Sequence, residues 1–156
     1  MLRIISELRS RVMAYRIIVA ALVLSLSGVG MAWAEDLVVV VNSQAPVQQL
    51  TPKEVKDIFL GDKTFWGDVK IVPVGYVDGA AIQNDFLDKV ANISENVYKT
   101  YWIKRIFREG GTPPKKAATA EEALSTIGRT PGAVGFVYAG QAAGANGVRE
   151  VLRVPN

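Results

Sequence analysis

The sequence predicts an α/β fold, a single small sheet of mixed direction flanked by helices, and three observations carry that prediction. Leu37 to Val41 (LVVVV) is an unbroken apolar run rich in β-branched residues, the pattern of a strand covered on both faces. Between Ile71 and Val90 the apolar period changes from about 2, at Ile71, Val72 and Val74, to about 3.6, at Ile82, Phe86, Leu87 and Val90, so a strand feeds a helix. The whole chain then reads strand, helix, strand, three helices, strand, strand, an order suited to a helix-flanked sheet.

The N-terminal stretch to Ala34 reads as a cleavable targeting segment. Arg3, Arg9, Arg11 and Arg16 form a basic n-region, Ile17 to Leu26 an apolar h-region, and Ala32-Trp33-Ala34 an A-x-A site, with cleavage expected after Ala34 and export to the periplasm. About ten apolar residues are too few for a helix crossing a hydrocarbon core, which takes roughly 20, so the mature chain is expected to have no membrane span. Residues 35–156 are then one domain, a length suited to a single core.

Removing that segment changes the charge. The chain holds 18 Lys and Arg against 15 Asp and Glu, but four of the former and one of the latter (Glu7) lie within the segment. The mature part is neutral and has no basic stripe of the kind that neutralises a phosphate backbone, which argues against nucleic acid as a partner. Cys and His are both absent, which removes disulfides, cysteine zinc sites, a thiol nucleophile and an imidazole base. Asp85 and Asp88, at i and i+3 on a predicted helix, have no nucleophile or base beside them and read as solvated. No enzyme activity, cofactor or metal is expected.

Taken in order, Asn42 to Gln49 is a polar loop after the first strand. Thr51 is the expected cap of a helix with Pro52 at its first position and Glu54 completing a capping box; Val55, Ile58 and Phe59 face inward, and Gly61 ends the helix in a left-handed conformation. Phe65 and Trp66, in the turn-rich Asp62 to Asp68 stretch, are expected to pack over a core edge. Pro73 marks the second strand as an edge strand or one that ends early. Asp78 is the expected cap of the helix that follows Gly79.

Asn92-Ile93-Ser94 matches a glycosylation sequon, but Ser94 reads better as a cap for a helix in which Tyr98, Trp102 and Ile106, widened by Ile103 and Phe107, form a core-facing stripe. Gly110-Gly111 stops it and Pro113-Pro114 prevents resumption. Thr119 and Glu122 suggest a second capping box, with Ala123, Leu124 and Ile127 inward. Pro131-Gly132 is a turn into a strand over Ala133 to Tyr138, where Gly135 implies a close neighbour. Ala139 to Gly147 reads equally as a loop or one helical turn, and Asn146-Gly147 turns into the last strand, Val148 to Val154.

Several of these segments occur in a recognisable order and spacing: Thr51 to Gly61 (TPKEVKDIFLG), Trp66-Gly67-Asp68, Ile71 to Val74, Asp78-Gly79 before a helix with Phe86, Tyr101-Trp102 with Phe107, Gly111, Pro113-Pro114, and Pro131 to Val137 (PGAVGFV). From Leu37 to about Leu152 the chain resembles the second lobe of the phosphate-binding proteins of ABC transporters, in the type 2 periplasmic-binding-protein superfamily. It is most similar to small one-lobe relatives described as phosphate-transporter substrate-binding-like. The resemblance implies one lobe of that fold and a non-catalytic, solute-binding ancestry, with phosphate or another small oxyanion as the ligand class.

The resemblance also marks what is missing. In the two-lobed proteins an Arg ends the strand before a turn of roughly Asp-Gly-Ser-Gly-Thr, whereas here Gly75 and Tyr76 precede Asp78, Gly79, Ala80, Ala81 and Ile82. Each charged hydrogen bond forgone costs on the order of 1.5 to 3 kcal/mol, against the roughly 8 kcal/mol of a micromolar site. The candidate ligand-binding set is Asn42, Ser43, Asp78, Gly79, Ala80, Ala81, Ile82, Gln83 and Tyr138, which requires that these residues converge on one concavity. Two readings stay open: a solute-binding-like module with weak anion binding, and an interaction or sensory accessory module whose half-cleft takes a protein partner or a second copy.

Overall fold

A computed structural model describes residues 35–155; the expected targeting segment and the cleavage expected after Ala34 fall on residues outside these. The strands are β1 (Leu37–Asn42), β2 (Phe65–Trp66), β3 (Val69–Lys70), β4 (Val72–Tyr76), β5 (Lys115–Ala117), β6 (Ala133–Tyr138) and β7 (Val148–Val154). The helices are α1 (Pro52–Phe59), α2 (Ala81–Phe86), α3 (Glu95–Glu109), α4 (Ala120–Arg129) and α5 (Ala139–Ala142), with a π-helical turn at Leu87–Ala91 after α2. The main sheet runs β5-β4-β6-β1-β7, and β2 and β3 pair as a separate hairpin. The expected mixed direction is present: β4 is parallel to β5 and β6, while β1 is antiparallel to β6 and β7.

The all-apolar run of β1 places it between two partners, and every residue of the strand is buried. Over the sheet, Phe86 of α2 stacks on Phe136 of β6 with ring centroids 3.9 Å apart and planes within 5°, and Phe59 of α1 lies 4.6 Å from Phe86. Gly135 is required by close approach: a Cβ there would lie 2.6 Å from Ile127 Cδ1 and 2.9 Å from the Val74 carbonyl oxygen. A side chain at this position would push α4 off the sheet.

Local signals place most of the boundaries. Thr51 and Glu54 form the reciprocal capping box of α1, and Gly61 follows that helix at φ 76°. Ser94 caps α3, accepting from the Val97 N–H, and Gly110 ends it in the left-handed region. Trp66 is buried, its indole N–H donating to the Gly132 carbonyl at 3.3 Å, while Phe65 is exposed. Pro73 lies in an inner strand, at a place where its missing N–H costs nothing. The Val72 N–H donates to Gly132 on the β6 side, so position 73 faces β5, and β5 pairs only from Val74 onward.

Other expectations are corrected. Strands β2, β3 and β5 were not legible, being 2, 2 and 3 residues long, too short to show a period. Residues 139–142 form a short helix. The second capping box is one-sided: Thr119 Oγ1 accepts from the Glu122 N–H, but Glu122 Oε2 takes the Ala118 N–H instead of returning to Thr119. The α3 stripe is not a core stripe, for Trp102 alone on that helix is buried, and Ile103, Ile106 and Phe107 are exposed, Phe107 by 86%. The reason is where α3 is held. Tyr98 and Tyr101 donate to the carbonyls of Phe59 and Leu60, and Arg105 to those of Leu60 and Gly61, so α3 is anchored through polar groups to the C-terminal end of α1.

Candidate functional site

The register of the sheet separates the candidate ligand-binding residues. Leu37 opposes Tyr138, and Val41 opposes Val134, while β4 runs parallel to β6. Tyr138 and the end of β4 at Tyr76 therefore share one end of the sheet, and Asn42 and Ser43 lie at the other, about 17 Å along the strand. One concavity cannot hold both groups. Asn42 is also fully engaged: it is 3% exposed, its Nδ2 donates to the carbonyls of Ile127 at 2.8 Å and Gly128 at 3.1 Å, and its Oδ1 accepts from the Gln44 N–H at 2.9 Å. This residue ties the end of β1 to the end of α4. Ser43, exposed, donates its N–H to Gly147 and its carbonyl accepts from Arg149.

At the other end, the turn after β4 carries Gly79 at φ 81°, and Ala80 is extended. These two residues delay the helix to Ala81, so Asp78 does not cap it. The N-cap position is Ala80, with no side-chain hydrogen bond. Asp78 turns outward to Lys116 Nζ at 2.6 Å and Lys99 Nζ at 3.6 Å. The hydrogen bond from Lys116, with the positive charge of Lys99 beyond it, holds its carboxyl below the usual range.

The carboxylate that does meet the backbone here comes from α3. Glu95 Oε1 accepts from the Gly79 N–H at 2.7 Å and pairs with Lys99 at 3.2 Å. The Gly79 N–H, and then Lys99, hold the Glu95 carboxyl below its ordinary value. Nothing local in the sequence singles out Glu95 beyond its place in the first turn of α3, nor Lys116 beyond its place after a Pro-Pro pair.

The rest of the set is structural in its contacts. Gln83 is 4% exposed and folds back over Gly75, its Oε1 accepting from the Tyr76 N–H at 2.8 Å. A Cβ on Gly75 would come within 3.1 Å of that oxygen, so the glycine makes room for the glutamine. Ile82 is buried, Ala80 half-buried and Ala81 exposed. Tyr138 donates to Asp85 Oδ2 at 2.6 Å, linking β6 to α2, and burial together with Asp85 pushes its hydroxyl up to about 12.

Between α3 and β5 lies a cleft of about 270 Å³. Its walls are mainly apolar, from Tyr98, Trp102, Ile106 and Pro114, and Asp78, Lys99 and Lys116 stand at its mouth. Among the described residues no cluster of His, Cys, Asp and Glu is placed to hold a metal ion, and no helix is long and apolar enough to cross a membrane.

This mixed sheet, flanked by helices and with its cleft between the C-terminal end of β4, the start of β5 and α3, is a periplasmic-binding-protein-like α/β fold. Solved structures sharing it include an ABC-type phosphate transport receptor from Vibrio cholerae, with 20% identity and a TM-score of 0.59 over 75% of this chain and 45% of that one. Another is PstS from Borrelia burgdorferi, with 15% identity and a TM-score of 0.61 over 75% of this chain and 46% of that one. The chain spans less than half the length of these proteins. No protein-family model and no curated protein matches the sequence.

Proposed function

We propose that the chain is a periplasmic, non-catalytic solute-binding-like module related to the substrate-binding proteins of phosphate ABC transporters, with weak affinity for phosphate or another small oxyanion at the Gly79 turn. The observation that carries this reading is the fold shared with phosphate transport receptors, joined to a strand-end turn whose left-handed glycine survives. Weakness follows from the same turn. Glu95 already holds the Gly79 N–H, Asp78 already holds Lys116, and both carboxylates repel an incoming anion.

Calorimetry with phosphate and sulfate tests it. Millimolar dissociation constants, with amide shifts centred on Gly79 and Ala80 in a parallel NMR titration, are expected; a flat response through roughly 10 mM removes the oxyanion part of the proposal.

The second reading, an interaction or sensory accessory module, is favoured by one specific observation: Ile103 and Phe107 stand exposed on α3, at 55% and 86%. Light scattering and capture of partners from periplasmic extract address it. A strict monomer that retains nothing counts against it.

A further inference from the structure

The α3–β5 cleft differs in kind from the Gly79 turn. The turn presents the Gly79 N–H, already met by the Glu95 carboxylate, whereas the cleft presents the side chains of Trp102, Ile103, Ile106, Pro113 and Pro114. Ile103 and Ile106 are 55% and 41% exposed, so apolar surface that the fold leaves uncovered lines a concavity and not a flat face. A volume of about 270 Å³ suits a small molecule.

Charge at the mouth selects among small molecules. Asp78 is paired with Lys116 and Lys99, and Glu95 with Lys99. Lys115, which also lines the cleft, has no acidic partner among the described residues. The mouth thus has three ammonium groups against two carboxylates, and the surplus positive charge stands beside the apolar wall. The outer backbone edge of β5 is short: Pro114 carries no N–H and the Ala118 N–H is taken by Glu122 Oε2, which leaves Lys116 between them.

We propose that the α3–β5 cleft binds a small amphipathic monoanion, an acyl or aryl carboxylate whose apolar body lies on Trp102, Ile106 and Pro114 and whose carboxylate meets Lys115. This rests on the solute-binding reading of the fold but names another ligand class, seated on the apolar wall of a cleft that adjoins the oxyanion turn through Asp78 and Glu95.

The test compares octanoate, octan-1-ol, octylammonium and inorganic phosphate on the purified chain, by calorimetry and by NMR of the Trp102 indole N–H, assigned with Trp102→Phe. Octanoate is expected to shift that signal and to bind about fivefold more tightly than octan-1-ol, the scale of one exposed ion pair. Lys115→Glu should weaken octanoate by about tenfold while leaving octan-1-ol unchanged, and Ile106→Asp should weaken both. Both positions are exposed, and circular dichroism checks that each variant keeps the wild-type fold.

Equal affinity for the three eight-carbon probes, shifts away from the cleft, or no response to octanoate overturns the proposal. The two readings fail separately. Phosphate moving the Gly79 amide while octanoate stays silent removes this inference alone; the reverse pattern removes the oxyanion turn alone.

Discussion

Glu95 Oε1 accepts the Gly79 N–H at 2.7 Å, so the first turn of α3 supplies a carboxylate to the backbone of the turn after β4. The chain's own acid stands at a strand-end N–H, and the strand-end crevice of an open α/β sheet is where ligands commonly bind. Asp78 completes the arrangement by engaging Lys116 and, at longer range, Lys99.

Removing that acid opens the turn. Glu95→Ala frees the Gly79 N–H and deletes a repelling charge, so phosphate and sulfate affinity at the turn is expected to rise by about fivefold, the scale of a charge interaction at an exposed site. Glu95→Gln, which keeps an acceptor but loses the charge, should fall between Ala and wild type. NMR titration of the Gly79 and Ala80 amides reads both. Unchanged or weaker oxyanion binding in Glu95→Ala contradicts the self-occupied turn.

Acid should destabilise the fold in a defined window. The carboxyls of Glu54, Asp78 and Glu95 are held below their ordinary values of 4.5, 3.8 and 4.5 by, respectively, the Thr51 backbone, Lys116 and the Gly79 N–H. A depressed folded-state value means that the contribution to stability is present above the unfolded value and is lost as pH falls through the folded one. With no His in the chain, no side chain with an ordinary pKa titrates between about pH 6 and 8. Tm by circular dichroism should therefore be flat across that range and fall below about pH 4. A Tm that rises on acidification contradicts these assignments.

Asn42 is expected to matter for stability and not for ligand. Asn42→Ala leaves the Ile127 and Gly128 carbonyls and the Gln44 N–H without their side-chain partner, which should cost about 2 to 3 kcal/mol in urea unfolding. Asn42→Asp should be at least as damaging, because a carboxylate cannot donate to those carbonyls. Neither substitution should alter the response of the Gly79 amide to phosphate. A selective loss of that response with stability intact restores Asn42 to the ligand-binding set.

How much was legible follows from sequence distance. The Thr51–Glu54 box, the Ser94 cap and the Gly61 and Gly110 terminators rest on groups within a few residues of one another, so the chain announces them locally. The β1 run and the need for a glycine at 135 were equally visible, one from composition and the other from a gap in a bulky strand. Glu95 is 16 residues from Gly79, Lys116 is 38 from Asp78, and Asn42 is 85 from Ile127. No local pattern encodes such pairs, and an Asn at a strand end reads alike as a ligand group and as a tie between elements.

By itself the sequence determined an α/β fold, one of its inner strands and most of its caps, because periodicity and capping act over one or two turns of chain. Only the tertiary structure decided that Asn42 and Tyr138 lie at opposite ends of the sheet, that Asp78 faces lysines instead of capping α2, and that Glu95 takes the Gly79 N–H. Antiparallel pairing of β1 with β6 reverses which strand end faces which. The anchoring of α3 on the α1 carbonyls carries its apolar face away from the core and opens the cleft beside β5.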